Sequence, residues 1–226
     1  MAMTEAHLKT VHLTLPATTD DLRGLEIGTV VYMTGRLFTA REGVYKHAID
    51  DGAGMPASPQ VLGCANFHCS PAASRNADGS YTVGAVTATA SFRFSQWLDR
   101  WFALSRCNII IGKGGMTSEI YRRVFVPNNA IYLTTVGYGT GALLGRGIKR
   151  VAGVYWAEEL GLAQALWALD VERFGPFLVE SDLTGQSLFE RENARISARL
   201  DELYAGTRPA TLRRYGETDD KTEEII

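Results

Sequence analysis

The sequence predicts a mixed α/β domain whose several strands share one mixed sheet. Strand-like and helix-like segments interleave along the whole chain without strict alternation, which fits an α/β or α+β layer architecture. Asn108–Ile111 and Ala130–Thr135 are short and largely apolar, the pattern of strands buried on both faces. No composition shift divides the 226 residues, a length that suits one large domain or two small ones with a real core.

In chain order, Val11–Leu15 alternates as a short strand and Pro16 ends it. Thr19-Asp20-Asp21 reads as a helix cap with acidic first-turn residues, and Gly24 and Gly28 keep that helix short. Thr29–Thr34 is β-branched and aromatic, hence a strand; a helix follows over Arg41–Ile49. Gly52–Pro59 and Ser70–Ser80 carry the Gly, Pro, Asn and Asp of loops, and the strands Val61–Phe67 and Tyr81–Thr87 follow one each. Phe94, Trp97, Leu98, Trp101 and Leu104 recur at helical spacing within Ser91–Leu104. After the buried strand at 108–111 a helix starts near Thr117, and a glycine-rich turn over 137–147 follows the strand at 130–135. Val151–Trp156, Ala165–Val171 and Phe177–Ser181 are further strands. In a last helix, Ser187–Tyr204, Leu188, Ile196, Leu200 and Leu203 share one face and Arg191, Arg195 and Arg199 another. The folded domain is expected over 1–206, with 207–226 a charged tail.

A net charge of −2 makes no electrostatic case for nucleic acid or an anionic membrane. The sequence shows no run long enough to span a bilayer, and its first ten residues resemble no secretory signal. Cys64, Cys69 and Cys107 form an odd, sparse set that points to a reducing cytoplasm rather than a disulfide framework. Cys64 and Cys69, even with His68 beside them, do not have the CxxC spacing of a metal site, and no metal ligand is expected in this chain.

Three segments carry candidate chemistry. Gly112-Lys113-Gly114-Gly115 follows a buried strand and opens a helix, where glycines admit a close ligand and the ammonium supplies charge. It is not a GxxxxGK[ST] phosphate loop, because Cys107 stands at the first glycine and Gly114 at the hydroxyl position. A solvated lysine on a tight turn is the plain alternative. Thr87-Ala88-Thr89-Ala90-Ser91-Phe92-Arg93 runs small hydroxyl residues into a helix start. Thr89 or Ser91 caps that helix, or the two line a carboxylate site with Arg93 as a clamp. Gly137, Gly139 and Gly141 are not the GxGxxG of a dinucleotide site, since Leu144 stands where the third glycine belongs. With Glu158 as ribose partner, a nucleotide-dependent dehydrogenase remains a distant alternative.

Four segments, in this order, resemble the β subunit, or C-terminal domain, of the iron–sulfur class I fumarase and L(+)-tartrate dehydratase family. They are IGTVVYMTGRLFTAREG (27–43), VGAVTATASFR (83–93), IIIGKGGM (109–116) and YWAEELGLAQALWALDVERFGPFLVESDLTGQSLFE (155–190). The family wording is close to GDxVxxxGxxxxARD, IGxxGPTTSxRM, IGKGGM and LGxPEAxWxxxVxxFGPxxVxxDxxGxS, and the likeness runs from about Val11 to Ala205. It implies a swivelling β/β/α domain with a mixed sheet. It also implies a hydro-lyase acting on a 2-hydroxy dicarboxylate such as malate or tartrate. The [4Fe–4S] cluster is expected on a separate α subunit, in an α2β2 assembly. Arg41, Ser91, Arg93 and Lys113 are expected to bind substrate. Thr89 stands at the reacting carbon, with Thr89 and Lys113 as catalytic residues.

The departures from the pattern lie close to those residues. The family's ARDxxH becomes Ala40-Arg41-Glu42-Gly43-Val44-Tyr45, so Glu42 replaces Asp and Tyr45 replaces His. GPTTSxR loses its glycine, proline and second threonine, and PEA becomes Ala163-Gln164-Ala165. These changes predict an acid other than plain fumarate, and they leave open a relative that binds a dicarboxylate without turning it over.

Overall fold

The computed structural model describes residues 8–205. The chain divides into two compact units between Glu190 and Arg191. The expected tail, 207–226, lies outside the described residues.

Strand β1 (Thr10–Thr14) leads to a short helix α1 (Thr19–Leu22). Its cap is Thr18, not Thr19: the Thr18 hydroxyl accepts from Asp21 N–H while Asp21 accepts from Thr18 N–H, a reciprocal capping box. Strand β2 runs over Val30–Thr39, well past the expected end at Thr34. Gly35 (φ 131°) lets it pass under Leu15, where a Cβ would lie 2.5 Å from the Leu15 carbonyl oxygen. Helix α2 (Glu42–Tyr45) then widens into a π-turn over Lys46–Asp50.

Two readings need correction here. Val61 and Leu62 are not strand but part of helix α3 (Pro59–Leu62), opened by a proline in its first turn, and β3 is only Ala65–Phe67. The expected loop over Ser70–Ser80 is largely strand β4 (Cys69–Arg75), paired antiparallel with β5 (Tyr81–Ala88) in a separate two-stranded sheet. Small residues and Pro71 give β4 little strand propensity of its own, so its conformation comes from the partner strand.

The helix expected from Ser91 begins as a 3₁₀ segment, Ser91–Trp97, and becomes helix α4 at Leu98–Ser105. Strand β6 (Ile109–Gly112) and helix α5 (Ser118–Ile120, capped by Thr117) follow. Strand β7 (Ile131–Thr135) precedes the glycine-rich segment, which winds into helix α6 (Gly141–Gly147) instead of remaining a turn. Strand β8 (Ile148–Tyr155) and helix α7 (Ala157–Leu160) lead to β9. The two strands expected at 165–171 and 177–181 are one, β9 (Leu166–Ser181), because pairing continues across Arg173 and Gly175 despite their positive φ. Helix α8 (Leu188–Tyr204) ends the described chain.

The large sheet is mixed, in the order β1-β2-β3-β6-β7-β9-β8, and β9 also pairs with β2, so the pairing path from β2 through β9 closes on itself. Closure leaves the central strands with two buried faces. Ile109 and Ile111 enter one core with Phe67, Leu133 and Phe177, while Ile110 enters a second with Tyr45, Trp101 and Tyr132. That two-sided burial explains the apolar β6 and places its C-terminal glycine beside the start of the 3₁₀ segment. Among the described residues, no helix is long and apolar enough to cross a membrane.

Candidate active site

Where β5 and β6 end, the main chain joins two of the sequence motifs. Ala90 and Lys113 form a parallel bridge. Lys113 N–H donates to the Thr89 carbonyl at 3.2 Å, and Ser91 N–H donates to the Lys113 carbonyl at 3.3 Å. Thr89 N–H in turn donates to the His68 carbonyl at 2.7 Å. Thr89, Ser91 and Lys113 therefore occupy one patch joined through the main chain. Gly112 is required for it: a Cβ there would lie 1.8 Å from Ser91 Oγ and 2.8 Å from the Tyr132 hydroxyl.

Lys113 also lines a cleft of about 40 Å³ with Thr87, Thr135, Gly137, Thr140 and Gly141. The turn behind it packs on a buried carboxyl, Glu180, whose Oε1 accepts from the Ser187 hydroxyl at 2.5 Å. A Cβ at Gly115 would come within 3.1 Å of the Glu180 carboxyl carbon. Burial pushes the Glu180 carboxyl above the usual carboxylate range.

Arg93, on the 3₁₀ segment, is half-exposed, and its Nη2 lies 3.2 Å from Glu42 Oε2. Glu42 also takes Lys46 at 2.8 Å; that hydrogen bond, with Arg93 and Arg41 nearby, holds its carboxyl below the usual range. Arg41 caps α2 from the β region and donates through Nη1 to the Ala163 carbonyl at 3.3 Å, while its buried Nε has no partner. It also lies near Cys69, where it opposes the upward push of burial on that thiol. Cys69 pairs with Ala88 in the small sheet. Arg93 thus pairs with Glu42, and Arg41 lies near that carboxyl and near Cys69 at the end of β5.

Beneath the patch lies a polar group that sequence reasoning missed. His68 Nδ1 is 2.7 Å from Ser91 Oγ, and its Nε2 is 2.6 Å from the Tyr45 hydroxyl. The Tyr45 hydroxyl donates to Asn66 Oδ1 at 3.0 Å, and Trp101 Nε1 donates to the same oxygen at 2.9 Å. Burial pushes the His68 pKa down to about 3. Its sequence position, next to Cys69, suggested only a weak metal motif.

The cysteines provide no cluster site. All three are free, Cys69 and Cys107 are buried, and burial raises their pKa values, that of Cys107 to about 12. Among the described residues no group of three or more His, Cys, Asp or Glu is arranged to hold a metal. The glycines at 137–141 do not form a dinucleotide unit either. Strands β7 and β8 both pair antiparallel with β9, at 177–181 and 166–171 and on the side opposite β2, so α6 joins two in-line strands and makes no crossover to a neighbouring parallel strand.

A mixed sheet closed on itself carries the TATAS segment bridged to the IGKGG turn, an arrangement consistent with a fumarase C-terminal domain. The fumarase C-terminus family model matches residues 1–192, and the chain belongs to that family. It is 31% identical to a provisionally named L(+)-tartrate dehydratase subunit beta of Methanocaldococcus jannaschii, over 82% of this chain and 94% of that one. The L(+)-tartrate dehydratase subunit beta of Escherichia coli K12 is 28% identical over 84% of this chain and 92% of its own. A provisionally named class I fumarate hydratase of Geobacillus stearothermophilus is 27% identical over 84% of this chain and 35% of its own length.

Proposed function

We propose that this chain is the β subunit of an iron–sulfur hydro-lyase that removes water from a 2-hydroxy dicarboxylate or adds it to the corresponding unsaturated acid. The main-chain bridge between Thr89–Ser91 and Lys113, with Arg93 one turn further on, carries this reading. Removing a proton beside a carboxylate builds further negative charge on that group. Cations held in place stabilise the developing charge more than the ground state. Lys113 and Arg93 supply that charge, Arg41 holds the other carboxylate, Ser91 supports the substrate contact, and Thr89 stands at the reacting carbon. A neutral threonine is a weak base, so its role needs an activating partner at the complete site.

The [4Fe–4S] cluster belongs to a partner α subunit, in an α2β2 complex; the tartrate dehydratase relatives are themselves named as β subunits. The complex works in the cytoplasm. The altered Glu42, Tyr45 and Ala90 positions favour an acid other than fumarate.

Anaerobic co-expression with the α subunit, followed by assays across malate, fumarate, the tartrates and bulkier 2-hydroxy dicarboxylates, tests the reading. Turnover of at least one acid, with weaker activity on fumarate and malate, is expected. Intact cluster with no turnover on the whole panel would overturn it in favour of a dicarboxylate-binding relative.

A further inference from the structure

The buried group under the site has one assignment of protons that satisfies its contacts. Tyr45, Asn66, His68, Ser91 and Trp101 are all fully buried, so each polar contact must be made within the protein. Trp101 Nε1 can only donate, which fixes the Asn66 carboxamide with Oδ1 toward it. The Tyr45 hydroxyl donates to that same oxygen, so the Tyr45 oxygen is the acceptor for His68 Nε2–H. Nδ1 of a neutral ring is then bare, and it accepts the Ser91 hydroxyl proton. The Asn66 amide nitrogen is left without a partner, a cost that shows the orientation is imposed by its neighbours. The run of hydrogen bonds ends inside the core at Trp101, so it leads no proton to solvent. It orients.

We propose that His68 is a positioning residue of the active site, its carbonyl holding Thr89 and its ring Nδ1 holding the Ser91 hydroxyl, so that both stand in one geometry over the Lys113 turn. The inference rests on the hydro-lyase reading above, and it adds a residue outside the motifs that define that site. Because Ser91 gives its proton to His68, its oxygen keeps lone pairs for a buried donor, and Ser91, itself fully buried, sets the patch from beneath. Arg93 keeps its contact with Glu42 and Lys113 follows the paired strand β6, so His68 governs turnover more than carboxylate affinity.

The test uses the complete α–β complex with three variants. In His68→Asn the side-chain oxygen can stand near the Nδ1 position; in His68→Gln the polar end reaches the Nε2 position instead; His68→Leu has neither. Expected is a kcat loss of about 10²-fold for the Gln and Leu variants, as for an ångström-scale misplacement, with KM changed less than about threefold. His68→Asn recovers to within about tenfold of the original enzyme, and Ser91→Ala added to His68→Leu costs nothing further. Equal losses in all three variants, or none, overturn the proposal while leaving the hydro-lyase reading intact. Nitrogen-15 NMR of the chain supplies a readout without turnover. A neutral ring protonated at Nε2 is expected, and an Nδ1–H tautomer overturns the proposal. Failure of the unaltered complex to bind succinate by calorimetry or to turn over any acid removes the site itself, and with it both readings.

Discussion

Thr89, Ser91 and Lys113 are joined by main-chain hydrogen bonds over a fully buried polar group, whereas Glu42, Lys46 and Arg93 meet side chain to side chain at the rim. The first set cannot rearrange without breaking a strand end. The second holds together through half-exposed ion pairs, which contribute little to stability and weaken with salt. Under the proposed function, this division suits a site rigid where charge develops and open where a substrate enters. The rim glutamate is paired with Arg93.

The largest effect should come from the frame. Gly112→Ala drives a Cβ into the Ser91 hydroxyl. It should cost about 1–3 kcal/mol of stability, as overpacking does, and activity should fall about 10²-fold or more. Urea unfolding and kcat/KM measured on the same preparation check both; a variant with normal activity would show that the frame tolerates movement. Next, Lys113→Met removes a fixed cation and should lower kcat/KM by about 10²-fold, the scale of losing one donor aimed at developing charge. Steady-state kinetics at two salt concentrations measure it, and the loss should persist at high salt.

A pH experiment isolates the buried histidine. His68 has its folded pKa depressed from 6.5 to about 3, so the unfolded chain binds its proton first as pH falls. The stability contributed by the neutral ring is complete above 6.5 and is lost as pH falls toward 3, at about 1.4 kcal/mol per unit. Unfolding free energies of His68→Leu relative to the unaltered chain should therefore shift in the variant's favour across that window. A constant difference would mean the ring is protonated in the folded state. The smallest effect belongs to the rim. Glu42→Gln frees Arg93 and should lower KM for a dicarboxylate by no more than about fivefold, with kcat unchanged and the gain shrinking as salt rises.

Much of this division was legible in the sequence, and the reasons are local. The IGKGG and TATASFR segments stand at strand ends, where glycine and small hydroxyl residues have few other uses. The apolar runs of β6 and β7 and the 91–104 periodicity come from burial patterns repeated every two or every three to four residues. The two departures at Glu42 and Tyr45 were visible as substitutions, but their partners were not. Glu42 meets Arg93, and Tyr45 meets the imidazole of His68, across long stretches of chain.

By itself, then, the sequence determined the fold class, the central strands, and the identity of Thr89, Ser91, Arg93, Lys113 and Arg41 as a candidate set. Tertiary structure decided the rest. It made a strand of Cys69–Arg75 by supplying β5, and it ran β9 unbroken through a segment whose glycine and proline spell a turn, because β2 and β7 pair along it. It also placed His68 under Ser91. Local periodicity reports which face of an element is buried; which buried polar groups meet depends on strand pairing between distant segments, and no short window of sequence contains that information.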